Sequence, residues 1–275
     1  MQKHIHEMHE DISEKFPIIF HTTVLNESAT CYPNWHENIE ILCVTGGEVE
    51  VTVDSVNFKA AKNDTVVINS DSFHIVRAIN GVASYYCLII DKEFCKSFGF
   101  DTTSDFLREK ISDTDILMIF KKIAEEIENK NNYYESAVKY LVCELLVKMY
   151  REYYVSAEVS SYNSGKSEIV KRAAKYIGKN YARNLNIGEI ADAVNVSKYY
   201  LCRIFKEVVG ITMIEYANFT RCKKANRLIS AGNMSISDIA EKCGFENMSY
   251  FSKIYKKYMN ILPSEQRKIR KVSEQ

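Results

Sequence analysis

The sequence predicts an α+β chain in two parts: a small β-barrel or sandwich followed by a helical hairpin, then an all-α unit in which one helix-turn-helix pattern occurs twice. Three observations predict it. Apolar residues alternate with polar ones in short runs between residues 39 and 90, stripes at helical spacing begin near residue 116, and a segment near residue 190 recurs about 50 residues later. At 275 residues the chain exceeds the ~100–200 of a usual single domain, so two cores are expected. The boundaries are drawn at 1–155, a linker at 156–167 and a second domain at 168–275. The linker covers the Ser/Gly/Asn-containing stretch from Ser156 to Gly165, where apolar periodicity lapses.

The β part rests on Ile39 to Val53, in which Val49, Val51 and Val53 alternate with Glu48, Glu50 and Thr52 after the turn signal Gly46-Gly47. Val66-Val67-Ile68 and Tyr85 to Ile90 add further strands, with turns expected at Lys62-Asn63-Asp64 and Asn80-Gly81. Many short strands with such turns point to a barrel or sandwich. Two helices follow. Ile116, Ile119, Phe120, Ile123 and Ile127 hold one helical stripe, and Val138, Leu141, Val142, Leu145, Leu146 and Met149 another.

In the second half, Ile190-Ala191 aligns with Ile239-Ala240 at an offset of 49, and Leu201 to Ile211 aligns with Phe251 to Ile261 at an offset of 50. Each copy opens on a polar cap followed three residues later by an acid, Asn186 to Glu189 and Ser235 to Asp238. The tight turns hold Asn195 and Gly244, residues that tolerate positive φ. Paired helices also build bundles and repeat arrays; the polar face of the second helix of each copy argues for a surface reader instead. In the first copy Lys198, Tyr199, Cys202, Arg203 and Lys206 line the outer stripe opposite Leu201, Ile204, Phe205 and Val208. In the second copy the stripe is Asn247, Met248, Ser249, Lys253, Lys256 and Lys257. Between the copies, the capping box Thr212 to Glu215 starts a nineteen-residue helix spanning ~28 Å, against the ~34 Å between successive major-groove segments.

Charge supports a polyanionic partner. Residues 1–165 hold 15 Lys/Arg against 26 Asp/Glu, and residues 166–275 hold 21 against 10, so a half at −11 is joined to a half at +11. No apolar run approaches the ~18 residues of a membrane span, and the first fourteen residues lack the basic-then-apolar order of a secretion signal. A cytoplasmic protein is expected. The eight cysteines are scattered singly and read as reduced, buried small side chains. His4, His6 and His9 cluster near the start and are read as a solvated end.

Residues 187–270 resemble the DNA-binding domain of the AraC/XylS family of transcription regulators. The resemblance is carried by Ile190-Ala191, Ser197, Leu201, Arg203, Phe205-Lys206, Gly210, Tyr216, Arg221, Ala225, Leu228, Ile236, Ile239-Ala240, Gly244-Phe245, Tyr250-Phe251, Lys256 and Pro263. Asn195, Tyr255, Asn260 and Glu265-Gln266 depart from the usual pattern. The resemblance implies that Tyr199, Cys202 and Arg203 in one unit, and Met248, Ser249 and Lys253 in the other, face bases. Arg203 is the foremost of these, because its planar fork can bond guanine twice. Cys202 and Met248 also read as partly buried helix residues.

Trp35-His36, Glu40, Gly46, Asn63-Asp64, Val67-Ile68 and His74 resemble the cupin-type sensor barrel found at the N-terminus of that family. Cupin enzymes bind metal through His-x-His, Glu and a later His. Here Asn34 stands in the first position, so three donors remain, able to hold a metal with water or to hydrogen-bond a small molecule. The second reading is favoured: Trp35, His36, Glu40 and His74 form a pocket for a small-molecule effector such as a sugar, with no metal, cofactor or catalytic residue assigned. Trp35 serves equally as a plug of the barrel. The resemblance also implies a homodimer, with the Val138 to Met149 stripe as its core, and RNA polymerase as a further partner. The function expected is therefore a ligand-controlled regulator, an activator, that binds double-stranded DNA. A cupin metalloenzyme with a helical appendage, or a DNA-binding adaptor that senses nothing, are the alternatives.

Overall fold

The computed structural model describes residues 16–27, 33–54, 56–104, 106–155 and 165–273, with side chains through residue 268. The histidines at positions 4, 6 and 9 and Cys31 lie outside them. The chain divides into two compact units between Asn163 and Ser164. The first helix of the second unit begins at Gly165, three residues inside the linker drawn from sequence.

The first unit is built on a six-stranded antiparallel sheet. Its strands are β1 (Ile18–Asn26), β2 (Ile39–Val53), β3 (Val56–Ala61), β4 (Asp64–Ile68), β5 (His74–Ile90) and, after helix α1 (Lys92–Ser97) and the short β6 (Phe106–Leu107), β7 (Lys110–Ser112). The order is β1-β5-β2-β4-β7, with β3 pairing β2. Gly46-Gly47 and Asn80-Gly81, expected as turns, instead lie inside the continuous strands β2 and β5. They face each other where the register shifts between Gly46 and Glu48. Gly47 sits at φ +70°, and a Cβ there would come within 2.2 Å of the Val82 carbonyl oxygen, so only glycine fits.

This paired bulge re-phases both strands. Glu40, Leu42 and Val44 point inward before it, and Val49, Val51 and Val53 after it; on β5, Val76 and Ala78 give way to Ala83, Tyr85, Cys87 and Ile89. The inner faces meet in one apolar cluster with Val66 and Ile68 of β4. Glu40 and His74, which pairs with Val53, would stand about 43 Å apart along a straight strand. They are 3.2 Å apart, so the sheet folds over at the bulge.

The other face of the sheet, through Ile39, Ile41, Cys43, Leu88 and Ile90, is covered by helices α2 (Thr114–Asn129) and α3 (Tyr134–Glu152). This corrects one expectation. The Val138 to Met149 stripe is not a surface between chains: Val138, Val142, Leu145, Leu146 and Met149 are fully buried within a single chain. An apolar sheet face must be covered, and the nearest apolar stripe covers it. A short strand β8 (Tyr154–Val155) pairs β6 and ties down the end of α3.

The second unit is all helical: α4 (Gly165–Asn180), α5 (Ile187–Ala193), α6 (Lys198–Val209), α7 (Met213–Ala231), α8 (Ile236–Lys242), α9 (Met248–Met259) and α10 (Pro263–Ser273). The pairs α5–α6 and α8–α9 are the two copies of the repeat. Asn195 and Gly244 take positive φ in the equivalent turns, at 60° and 83°. A Cβ on Gly244 would also lie 2.5 Å from the Ala182 carbonyl oxygen, whereas Asn195 is exposed.

Leu145→Ala should cost about 2–5 kcal/mol in the urea unfolding of the first unit, as expected for a cavity in a packed core. Leu145→Lys should abolish that unit's folding. A Leu145→Lys chain with native circular dichroism and a changed sedimentation coefficient would return the stripe to an interface between chains.

Candidate nucleic-acid interface and buried polar site

The frame of the second unit is α7. Its start is fixed by a reciprocal cap, in which Thr212 N–H donates to Glu215 Oε2 at 3.0 Å and Glu215 N–H donates to Thr212 Oγ1 at 3.2 Å. Its end is Gly232 at φ 76°. Helix α9 docks on it through three tyrosines. The Tyr258 hydroxyl donates to the Glu215 carbonyl at 3.2 Å, Asn218 Nδ2 donates to the Tyr250 hydroxyl at 3.1 Å, and the Tyr255 hydroxyl donates to Asn226 Oδ1 at 2.6 Å. Tyr255, one of the departures noted in the sequence, therefore has a partner of its own on α7. Arg221 completes the frame, donating to the Tyr181 and Arg183 carbonyls at 2.7 and 2.9 Å while its guanidinium lies 5.7 Å from the Phe245 ring centre.

On this frame, the outer residues expected on both recognition helices are exposed: Lys198, Tyr199, Cys202, Arg203 and Lys206 on α6, and Met248, Ser249, Lys253 and Lys256 on α9. Tyr199 is 82% exposed, unusual for so large an aromatic side chain. Arg203 rests over the Tyr200 ring at 5.5 Å, which steadies its guanidinium without using up its donors. Ser197 and Asn247 hold equivalent places as the N-caps of α6 and α9, accepting from Tyr200 N at 3.3 Å and Tyr250 N at 2.9 Å. Each copy thus presents a capped, positive helix N-terminus beside basic side chains, an arrangement suited to phosphate. Sequence reasoning missed Arg221 and Tyr250 as positioning residues; their recurrence in the motif was visible, but not the carbonyls and amide they bond.

In the first unit, His36, Glu40 and His74 come together. Glu40 Oε2 lies 2.9 Å from His36 Nε2 and 3.2 Å from His74 Nε2, and the Cys87 thiol donates to Glu40 Oε1 at 3.4 Å. All four side chains are buried or nearly so. The segment leading into β2 meets the start of β5 here because Asn34 and His74 exchange backbone hydrogen bonds at 2.9 and 3.0 Å. Burial alone would push the Glu40 carboxyl upward. Positive charge at His74 and hydrogen bonding to both imidazoles outweigh it, holding the carboxyl well below the usual carboxylate range. His36, Glu40 and His74 are the residues able to hold a metal among those described. Trp35 stands apart from this contact set: its indole N–H donates to the Asp71 carbonyl at 3.0 Å and its ring stacks on Phe73.

A helix-turn-helix domain family matches residues 190–269, which span α6 to α9 and most of the helices flanking them. The HTH-type transcriptional regulator YdeC of Bacillus subtilis is 21% identical over 98% of both chains. The lactose operon transcription activator of Staphylococcus xylosus is 26% identical over 66% of this chain, which spans 60% of that protein. Among solved structures, ToxT from Vibrio cholerae, bound to an unsaturated fatty acid, covers 90% of this chain and 94% of its own at 17% identity, with a TM-score of 0.52, and so shares its fold. None of the described helices is long and apolar enough to cross a membrane. Two capped recognition helices on one connecting helix, the domain match and these relatives together bear out a helix-turn-helix domain over residues 190–269 and the likeness of the chain to transcription regulators of the AraC/XylS type.

Proposed function

We propose that the chain is a homodimeric, non-enzymatic activator in which a small-molecule effector, held in the folded sheet of the first unit, controls how α6 and α9 engage one duplex. The carrying observation is the pair of exposed basic faces on a single α7 frame. Arg203, Tyr199, Cys202, Met248, Ser249 and Lys253 read bases; Ser197, Lys198, Lys206, Asn247 and Lys256 hold phosphates. Effector control is supported by a regulator of similar fold that binds a fatty acid, and by a related activator of a lactose operon. The polar cluster His36, Glu40 and His74, with Trp35 nearby, is the proposed effector site, and RNA polymerase in the cytoplasm is the proposed partner of the DNA-bound form. With the α3 stripe buried, the dimer contact falls to the outer face of the hairpin, where Met118, Tyr140 and Val147 are exposed.

Binding of the full chain to duplex DNA should fall steeply with salt. Lys206→Ala should weaken specific and random DNA alike, while Arg203→Ala should cost about 1–3 kcal/mol on the specific site only. Equal losses on both DNAs for Arg203→Ala, in titrations followed by fluorescence anisotropy, would remove it from the base-reading set. In sedimentation, the Tyr140→Glu/Val147→Glu chain should run as a folded monomer; an unchanged dimer would place the contact elsewhere. For the sensor, the Glu40→Gln/His74→Gln chain should lose the reporter's response to effector while keeping basal binding. A normal response would sink the pocket assignment.

A further inference from the structure

The two recognition helices are joined by two routes. The first is covalent: α6 ends at Gly210, in the left-handed region at φ 80°, and Thr212 then caps α7. A connection this short fixes how close α6 and α7 lie, but its glycine leaves the angle between them soft. The second route runs through α4, which belongs with the first reader. Lys166 of α4 pairs with Glu207 of α6 at 2.8 Å, Arg172 donates to the Ala193 carbonyl at the end of α5 at 3.2 Å, and Arg183 pairs with Glu189 of α5 at 3.5 Å. The second reader belongs with α7, through the three tyrosine bonds of α9. Residues 181–183, just past the end of α4, are where the first group of helices meets the second.

Three successive carbonyls of that segment take part. Those of Tyr181 and Arg183 accept from Arg221 Nε and Nη2 at 2.7 and 2.9 Å, and that of Ala182 lies so near Gly244 that a Cβ there would come within 2.5 Å of it. The Arg221 guanidinium also lies over the ring of Phe245, the residue after that glycine in the turn before α9. Carbonyls at a helix C-terminus lack partners within the helix and carry its negative end, so a cation suits them as donor. Only a planar fork bonds two carbonyls while covering a ring, which a lysine cannot do. In the first repeat the equivalent turn residue, Asn195, is exposed, so a helix-turn-helix needs no such contact for its own sake.

We propose that Arg221, acting with Gly244, is a positioning residue for DNA recognition: it clasps the α8–α9 turn to the end of α4 and so sets the angle and separation at which α6 and α9 meet DNA. This role rests on both helices engaging one duplex. Successive base pairs are offset by about 3.4 Å along the duplex axis and about 34–36° around it. Readers held at one angle therefore accept one spacing between their two blocks of bases, whereas readers free to swing accept several. A cleft of about 710 Å³ beside Arg221, lined also by Asn184, Glu241 and Tyr250, gives the turn room to swing once the clasp is cut.

The test uses duplexes that the full chain selects from a random pool, with the spacer between the two selected blocks then shortened or lengthened by one base pair. Scrambling either block should weaken the unmodified chain. If one block can be scrambled without effect, the two helices do not share the duplex, and the clasp falls with that reading. With both blocks needed, the unmodified chain should lose about tenfold or more in affinity for either change of spacer, because one reader then loses its base contacts. Arg221→Lys keeps the charge without the fork, and the folded variant should bind the three spacers within about threefold of one another. Gly244→Asn accepts the positive φ but drives a Cβ into the Ala182 carbonyl, and should relax the spacing preference in the same way, whereas Asn195→Gly should leave it unchanged. A purely stabilising role would lower the melting temperature and weaken all three duplexes alike. A folded Arg221→Lys chain, or a folded Gly244→Asn chain where the first does not fold, that keeps the full spacing preference overturns the clasp. So does an unmodified chain that needs both blocks yet binds every spacer equally, whether or not any variant folds.

Discussion

The reading surface depends on α7 holding its shape and its contacts. A recognition helix of twelve residues has little stability of its own, and its orientation is set by what it packs against. Helix α9 is tied to α7 at three levels along its length by tyrosine hydroxyls, each extending an otherwise apolar contact by a directional bond. Phe205 of α6 meets Tyr216 of α7 edge-on at 5.5 Å. The two copies therefore share one ruler whose length is fixed by a cap at each end. Interhelical geometry in the second unit is carried by polar atoms at the rim of the core as much as by its apolar filling.

The first unit solves a different problem. It carries an ionised carboxylate into an apolar interior, where such a group is tolerated only beside positive charge or strong donors. The two strands that bring those partners to Glu40 do so by folding over, so the polar cluster and the bulge are one feature seen at two places. The opposite face of the same strands has no such demand and is sealed by α2 and α3.

Much of this was legible in the sequence. Period-3.6 stripes identified α2, α3 and the repeat, because a helix that buries one face must write that face at helical spacing. Asn195 was legible as a left-handed position because few other residues tolerate one, and it takes φ 60°. The spacing of His36 and Glu40 with a later His marked three residues that the fold brings together; the tryptophan beside them was drawn in by adjacency alone, and its indole bonds elsewhere. What was hidden had physical reasons. Gly46-Gly47 and Asn80-Gly81 carry the chemistry of a turn, and a bulge uses the same positive φ without reversing the chain. The α3 stripe gives no sign of whether it covers its own sheet or another chain's, since the periodicity is identical in either case. Strand β1 went unread, for its burial pattern is too mixed to alternate cleanly.

The bulge has a genetic consequence. Because it shifts both β2 and β5 by one residue in phase, the valines at 49, 51 and 53 face inward only while the residue count through Gly46-Gly47 is kept. Losing one of those glycine codons by an in-frame deletion would leave the composition almost unchanged, yet turn the distal half of the longest strand pair inside out. Gene lineages carrying this fold should therefore accumulate amino-acid replacements across β2 far more readily than length changes within it.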